Sequence, residues 1–224
     1  MNQKQLAGEK AVEFVKDGMI VGLGTGSTVY WTIKLLGEKV MDDSLQIKVI
    51  CTSVETAALA SKYNMDVVGF SDINSIDITI DGADEIDPNF NLIKGGGGAL
   101  FREKIVAVSS NYNIIVADES KIVSKLGKFP LPIEVLPFGW EGTLKRINQV
   151  GATSKLRLHN NKKPFVTDNG NYIVDCDFKA IDHPKSLDRK LKLITGVIET
   201  GLFIHTTNVV IIGTGHNNLK VISK

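Results

Sequence analysis

The chain has 224 residues, of which 43% are hydrophobic and 23% are charged, and this balance is typical of a globular protein in water. The formal net charge of +1 gives no electrostatic argument for nucleic acid or a membrane surface as a partner. No apolar run is long enough to cross a membrane and no apolar signal core opens the chain, so we expect a cytoplasmic protein.

The first half of the chain alternates predicted helices with predicted strands. Apolar residues on one helical face predict a helix that ends near Asp17 and Gly18. The further elements predicted here are strands at 19–23, 47–51, 67–70, 76–80 and 114–117 and helices at 29–40, 52–63 and 99–108, the second of which follows a capping-box pattern at Thr52 to Glu55. This alternation favours a doubly wound, mostly parallel α/β sheet of the Rossmann-like type.

The pattern changes after Lys128, where two prolines interrupt it. The elements predicted next are a strand at 133–136, a helix at 141–149, a strand at 154–158, a hairpin at 165–177 around Asp168-Asn169-Gly170, a helix at 185–194 and a strand at 197–203. This β-α-β-β-α-β order matches a ferredoxin-like α+β domain. A last strand at 208–212 is expected to return to the first sheet. We therefore predict an α/β domain at 1–128 plus 206–224 and a smaller domain at 129–205.

The loop from Gly22 to Thr28 joins the first strand to the second helix. Backbone N–H groups and a helix N-terminus attract anions there, and Ser27 and Thr28 add hydroxyl donors. The loop lacks the Walker A lysine, and Ser27 occupies the third glycine position of the dinucleotide fingerprint. A small phosphate monoester therefore fits better than ATP or NAD. The alternative is a tight turn capped by Ser or Thr.

An acidic segment, Asp81 to Asp87, follows the strand at 76–80. Asp81 and Asp84 are thus predicted at a carboxyl end of the sheet, where ligands bind in open α/β folds. The alternatives are a solvated acidic turn and a Mg²⁺ or Ca²⁺ site. Lys94 close by and the absence of a calcium-loop spacing weigh against a cation. We interpret Glu85 and Asp87 as surface charges.

Four consecutive glycines, Gly95 to Gly98, follow Lys94. Glycine loses more conformational entropy than any other residue, so this run marks a sharp turn or a close approach of a ligand. Lys94 is either a surface lysine or a ligand contact, and the bare backbone beside it favours the second. Glu103, early in the next helix, is either a group that complements the helix dipole or a general base.

Lys121 is a second cation at the carboxyl end of a strand and could hold a phosphate together with Ser27 and Thr28. The two cysteines, Cys51 and Cys176, show no metal-ligand spacing and are expected to be reduced and structural. The four histidines, which we interpret as structural or exposed, are His159, His183, His205 and His216. A base, an ammonium group, two carboxylates and an anion loop together suit proton abstraction beside a carbonyl on a small sugar phosphate.

In their order, these motifs resemble the type A ribose-5-phosphate isomerase family, and the resemblance extends over nearly the whole chain. The motifs that carry it are Gly24-Thr25-Gly26-Ser27-Thr28, Asp81-Gly82-Ala83-Asp84-Glu85, Lys94-Gly95-Gly96-Gly97, Arg102-Glu103-Lys104, the segment from Leu126 to Pro132 and the segment from Val166 to Asn171. Each motif is weak alone, but their conjunction is specific.

The resemblance implies interconversion of D-ribose 5-phosphate and D-ribulose 5-phosphate in the pentose phosphate pathway, with no metal or organic cofactor. It implies that Glu103 moves the proton between C1 and C2, that Lys94 faces the enediolate oxygens, and that Asp81 and Asp84 handle hydroxyl protons and ring opening. The implied substrate-binding residues are Thr25, Gly26, Ser27, Thr28, Asp81, Gly82, Ala83, Asp84, Lys94, Gly95, Gly96, Gly97 and Lys121. A homodimer or homotetramer is also implied.

The chain departs from the family pattern at three places. The family often has alanine at the position of Gly98, and we expect a small side chain to serve there. It often has Thr or Ser at the position of Phe101, and the ending Gly213-Thr214-Gly215-His216 also differs. A sugar-phosphate sensor domain would need a helix-turn-helix before Met19, and a hexosamine-phosphate deaminase would need a catalytic histidine. A coenzyme A transferase would carry a nucleophilic glutamate in a different glycine context.

Overall fold

The computed structural model describes residues 2–215 and 218–224. His216, which we interpreted as structural or exposed, lies outside the described residues. The chain folds into two compact units. The first unit comprises Met1–Ala83, Arg102–Ile122 and Thr206–Lys224, and the second comprises Asp84–Phe101 and Val123–His205. The sequence-based division assigned residues 84–101 to the first domain, whereas the structure packs them with the second unit. The domain division itself stays a prediction.

The elements follow in chain order. The α-helices are α1 (Gln3–Ala11), α2 (Val29–Met41), α3 (Val54–Lys62), α4 (Leu100–Val108), α5 (Trp140–Gln149) and α6 (Pro184–Lys192). The strands are β1 (Ile20–Leu23), β2 (Lys48–Cys51), β3 (Asp66–Val67), β4 (Ile78–Asp81), β5 (Glu85–Ile86), β6 (Leu92–Ile93), β7 (Asn113–Asp118), β8 (Leu131–Val135), β9 (Thr153–Leu156), β10 (Tyr172–Asp177), β11 (Val197–Thr200), β12 (Leu202–Phe203), β13 (Val209–Thr214) and β14 (Asn218–Ser223). Short 3-10 helices cover Val12–Phe14, Phe70–Asp72 and Glu119–Lys121.

The first unit is built on a seven-stranded sheet of order β14-β13-β7-β4-β1-β2-β3. All neighbouring pairs are parallel except β13 with β14. Val21, Ile80, Ile114 and Ile211 are buried in its core, as apolar β-branched runs are in parallel strands covered on both faces. The prediction of a doubly wound, mostly parallel sheet is confirmed, and so is the return of the last predicted strand as β13. No sequence pattern predicted β14.

Local boundaries in the first unit differ from the predicted ones where a cap or turn decides them. The N-cap of α3 is Ser53, whose hydroxyl accepts from the backbone N–H of Thr56 at 3.0 Å, and the capping box predicted from Thr52 is therefore wrong. The first helix ends at Ala11 and continues only as a 3-10 turn. The strand predicted at 67–70 shortens to β3, because a 3-10 turn begins at Phe70.

The second unit contains an antiparallel sheet of order β11-β8-β10-β9 with α5 and α6. The observed order β8-α5-β9-β10-α6-β11 confirms the ferredoxin-like arrangement. The strand predicted at 197–203 splits at Gly201 into β11 and β12, because the chain passes there from β8 to β6: Gly201 N donates to Pro132 O at 2.7 Å, while Gly201 O accepts from Lys94 N at 2.9 Å. The strand β12 then joins β6 and β5 in a small antiparallel sheet that the sequence analysis missed.

Candidate active site

The anion loop, residues 24–28, connects β1 to α2 in the first unit. Thr28 is the N-cap of α2, but its side chain makes no capping hydrogen bond, so the alternative of a turn capped by that hydroxyl is wrong. Gly26 has a φ of +119°, which favours glycine because side chains rarely adopt that conformation. Ser27 is exposed. The loop therefore presents its hydroxyl groups and the N-terminus of α2 in a form suited to an anion.

Lys4 in α1 is a cation at this loop that the sequence analysis missed. Its Nζ donates to Ser27 Oγ at 2.9 Å. The helix α1 comes close because Gly8 lets it pack on the start of α2, where a Cβ would lie 2.6 Å from Thr28 O. Nothing in the local sequence distinguishes Lys4 from a surface lysine, since the contact depends on how α1 packs.

Asp81 ends β4 beside the loop and is only 3% exposed. Its Oδ1 accepts from Gly82 N at 2.7 Å and from Thr25 N at 3.3 Å. Gly24 permits this approach, because a Cβ there would overlap the carboxylate of Asp81 and lie 2.7 Å from its Cα. The structure therefore brings the first acidic residue of the motif against the anion loop.

A cluster of hydroxyl groups fixes Thr25. Its Oγ1 lies 2.8 Å from Thr52 Oγ1, 2.9 Å from Ser53 Oγ and 3.2 Å from Thr56 Oγ1. Thr56 Oγ1 also donates to Gly24 O at 2.9 Å. We call these four side chains the hydroxyl cluster. It joins the loop after β1 to the turn after β2, and no sequence pattern indicated it beyond the cap.

Glu103 lies in the first turn of α4 and is 4% exposed. Val106, one turn later on the same helical face, packs against β1 so closely that a Cβ on Gly22 would meet it at 2.7 Å. Glu103 therefore lies on the face of α4 that is directed at the sheet. The helix dipole favours a carboxylate at this position, while burial opposes its charge.

Lys121 follows β7 in a 3-10 turn and is partly exposed. Because β7, β4 and β1 are adjacent parallel strands, their carboxyl ends place Lys121, Asp81 and the anion loop along one edge of the sheet. The first unit thus gathers these three predicted features. Gly82 and Ala83 follow Asp81 directly at the same edge.

Asp84 and Lys94 lie next to each other in the small sheet of the second unit. The register pairs Glu85 with Ile93, so Asp84 and Lys94 occupy the next step of the antiparallel pair. Asp84 N donates to Ile93 O at 2.8 Å, and Lys94 N donates to Gly201 O at 2.9 Å. Lys94 is 3% exposed, with Nζ 5.4 Å from the ring centroid of Phe203.

The four glycines form one turn, which we call the glycine turn. Gly98 N donates to Gly95 O at 3.0 Å, and the φ angles of these two residues are +88° and +103°. Gly96 N donates to Asp84 Oδ2 at 2.7 Å, while the backbone at Gly96 and Gly97 is exposed. A Cβ on Gly98 would overlap the ring of Phe165, so the expectation that a small side chain would serve there is wrong.

Glu85 is not a surface charge, and this prediction is corrected. Its side chain is 3% exposed, and its carboxylate accepts from Gly127 N at 2.7 Å and from Phe129 N at 2.6 Å. It therefore holds the segment that leads into β8. Asp87 is partly buried and accepts from the backbone N–H groups of Asn89 and Asn91.

The two thiols and any cluster of metal-binding side chains are the remaining groups that could carry chemistry. Cys51 and Cys176 are free, and burial raises the pKa of each thiol to about 12, so both are protonated at neutral pH. Within residues 2–215 and 218–224, no group of three or more His, Cys, Asp or Glu side chains could hold a metal ion. Among the described residues, none of the helices has the length and apolar character of a membrane-spanning segment.

Comparisons with known proteins agree with the motifs. A model of the family described as Ribose 5-phosphate isomerase A (phosphoriboisomerase A) matches residues 48–217. The ribose-5-phosphate isomerase A of Bacillus cereus is 58% identical over 221 residues, which cover 98% of this chain and 99% of the relative.

Two solved structures are similar over the whole fold. Ribose 5-phosphate isomerase from Plasmodium falciparum superposes with a TM-score of 0.95 at 40% identity and covers 99% of this chain and 97% of its own. A D-ribose-5-phosphate isomerase in complex with phospho-erythronic acid has a TM-score of 0.95 at 40% identity and covers 100% of both chains.

Proposed function

This chain belongs to the ribose 5-phosphate isomerase A family, and on that premise we propose that it interconverts D-ribose 5-phosphate and D-ribulose 5-phosphate through an enediolate. The observation that carries the proposal is the burial of three ionisable side chains from the family motifs. Asp81, Lys94 and Glu103 are each at most 4% exposed. Burying charged groups costs free energy, so their retention in these motifs favours a catalytic use.

Glu103 is the proposed general base. It removes the proton from C2 of the open-chain aldose and returns it to C1 of the enediolate, which gives the ketose; the reverse reaction uses the same group. The ammonium group of Lys94 stabilises the negative charge that develops on the enediolate oxygens. No net oxidation occurs, because the two electrons that leave C2 remain within the sugar.

Asp81 and Asp84 are proposed to move hydroxyl protons during ring opening and isomerisation. Each carboxylate is held by backbone N–H groups, Asp81 by those of Thr25 and Gly82 and Asp84 by that of Gly96. Fixed carboxylates keep the hydroxyl groups of a bound sugar in one orientation, which lowers the entropic part of the barrier.

The phosphate is proposed to bind at the anion loop. Ser27 and Thr28 offer hydroxyl groups there, Lys4 supplies a positive charge by its contact with Ser27, and Lys121 is a second cation at the same sheet edge. A phosphate remote from the reacting carbons supplies binding energy that orients them. A related isomerase was solved in complex with phospho-erythronic acid, whose phosphate and carboxylate make it chemically similar to a phosphorylated enediolate.

Replacing Glu103 with Gln tests the proposal. A positioned general base contributes about 10²- to 10⁴-fold, so kcat for ribose 5-phosphate should fall by that factor while phospho-erythronic acid still binds within about threefold of its original affinity. Glu141→Gln is the matched control, because Glu141 also lies in the first turn of a helix but is exposed. Near-normal turnover of the Glu103→Gln variant would contradict the mechanism, and equal rates on unphosphorylated ribose would contradict the phosphate site.

Four further properties are proposed with the function: a place in the pentose phosphate pathway, a cytoplasmic location, catalysis without a metal or organic cofactor, and a homodimer or homotetramer. The place in the pathway follows from the substrates. Activity in EDTA tests whether catalysis needs a metal. Complete loss of activity that Mg²⁺ restores would instead favour a metal bound by the acidic segment. Light scattering at micromolar protein concentration tests the assembly.

A further inference from the structure

The guanidinium group of Arg157 joins the glycine turn to the carboxylate of Asp175. Arg157 follows β9, and its Nη1 donates to Gly95 O at 2.8 Å and to Gly96 O at 3.1 Å. Its Nε donates to Asp175 Oδ2 at 3.0 Å, and its Nη2 donates to Asp175 Oδ1. Both side chains are largely buried, at 14% and 15% exposure. All these groups belong to the second unit.

The glycine turn needs such support. Four glycines in sequence have the largest conformational freedom of any tetrapeptide, and one backbone bond closes this turn. The ring of Phe165 provides a second restraint, because it packs against Gly98 and its centroid lies 5.8 Å from Arg157 Cζ. Arg157 and Phe165 therefore restrain the beginning and the end of the turn.

We propose that Arg157, oriented by Asp175, is a positioning residue for the isomerisation, an inference that rests on the function proposed above. By fixing the carbonyl groups of Gly95 and Gly96, it fixes the direction of the Gly96 N–H, which holds Asp84. It also fixes the backbone of Gly95, the residue that directly follows Lys94. A planar guanidinium can bind a carboxylate with two nitrogens and still donate to carbonyl groups with a third, which an ammonium group cannot do.

Kinetics of the variants Arg157→Lys and Asp175→Asn test the proposal. A misplacement of about 1 Å can cost about 10²-fold in rate, so we expect kcat for ribose 5-phosphate to fall by about 10- to 100-fold with KM changed less than about threefold. Arg146→Lys is the matched control, because Arg146 also donates to a backbone carbonyl in the second unit, but to Thr195 O, which is not part of the glycine turn. Its kcat should stay within about twofold of the original value. A kcat within about twofold for both test variants would overturn the proposal.

Hydrogen exchange of the glycine amides gives a readout that does not depend on activity. The peptide that contains residues 93–100 should exchange faster in the Arg157→Lys and Asp175→Asn variants than in the Arg146→Lys variant, with thermal unfolding temperatures close to the original. Slower turnover without faster exchange would overturn the role given to the turn. If the unaltered protein does not isomerise ribose 5-phosphate, the proposed function fails, and the same exchange experiment still decides whether Arg157 holds the turn.

Discussion

The anion loop and the glycine turn are both glycine-rich segments whose central residues are exposed, but they are held in different ways. The anion loop is restrained by neighbours in its own sheet: Asp81 at the end of the adjacent strand β4 and the hydroxyl cluster after β2. The glycine turn is restrained by a side chain from outside its own small sheet, Arg157 after β9.

This difference follows from the two architectures. In a parallel sheet the carboxyl ends of all strands meet at one edge, so the topology itself gathers the loops that hold a ligand. The small antiparallel sheet of β5, β6 and β12 has only two residues in each strand and provides no such edge. A separate device, the Arg157–Asp175 pair, therefore orders the turn. Substitutions at matched positions in the two segments test this distinction.

The largest effect is expected for Gly24→Ala in the anion loop. The new Cβ would meet both the side chain and the backbone of Asp81, so neither can move aside without disturbing the strand. Overpacking of this kind costs about 3 kcal/mol, and urea denaturation should show that loss in the free energy of unfolding. Gly26→Ala is the control: it has open space around the Cβ but a positive φ, and should cost about 1 kcal/mol. Equal costs would mean that the contact with Asp81 is not what restrains the loop.

A smaller effect is expected for Gly98→Ala in the glycine turn. The positive φ and the contact with the Phe165 ring together should cost about 2 kcal/mol, because a ring can shift where a backbone cannot. Adding Phe165→Leu should recover part of the loss, as measured by a double-mutant cycle in urea. Gly97→Ala has open space and no positive φ, so it should change the free energy of unfolding by less than about 0.5 kcal/mol. No coupling between positions 98 and 165 would show that the ring does not restrain the turn.

The sequence was sufficient for those parts of the molecule that local pattern determines. The spacing of apolar residues and the glycines and prolines between them predicted the parallel sheet of the first unit and the four-stranded sheet of the second. They also predicted the β-α-β-β-α-β order and the position of Asp81 at a strand end, because burial imposes a repeat on each element. The small sheet was missed because strands of two residues, such as Glu85–Ile86, have no repeat to detect.

Contacts between distant segments explain the remaining errors. Glu85 looked like a surface charge because its partners, the N–H groups of Gly127 and Phe129, lie more than 40 positions away. Gly98 looked replaceable because the position of Phe165 is not visible in the local sequence. Lys4 and Arg157 carried no motif at all. In each case the role of the residue depends on packing, which composition and spacing do not encode.

Removing the hydroxyl of Thr25 tests the support of the anion loop. Thr25→Val leaves the other three hydroxyl groups of the cluster without a shared partner, and we expect a loss of about 1.5 kcal/mol in the free energy of unfolding. Thr207→Val is the matched control in the same unit, because the buried Thr207 hydroxyl has no hydrogen-bond partner among the described residues. Replacing it should be neutral or stabilise the protein by up to about 1 kcal/mol. Equal losses for the two variants would contradict the role of the cluster.

The smallest effect concerns the two thiols, one in each region. Burial raises the pKa of Cys51 in β2 and of Cys176 in β10 from 9.0 to about 12. Below pH 9 both are protonated whether the chain is folded or unfolded, and stability does not depend on them. Above pH 9 the unfolded chain loses these protons while the folded chain keeps them, so stability falls as pH rises towards 12, by about 1 kcal/mol per thiol between pH 9 and pH 10.

Urea titrations of the Cys51→Ala and Cys176→Ala variants between about pH 9 and pH 10 give the slope of the free energy of unfolding against pH. We expect this slope to be smaller in each variant, because each lacks one of the two thiols. The slope is compared with that of the unaltered protein, because lysine and tyrosine side chains also titrate there. If both regions unfold in one transition, each variant changes the pH dependence of that transition by the same amount. If they unfold separately, Cys51→Ala alters only the transition of the parallel sheet and Cys176→Ala only that of the antiparallel sheet. Unchanged slopes in both variants would show that the thiols are not shielded from water in the folded protein.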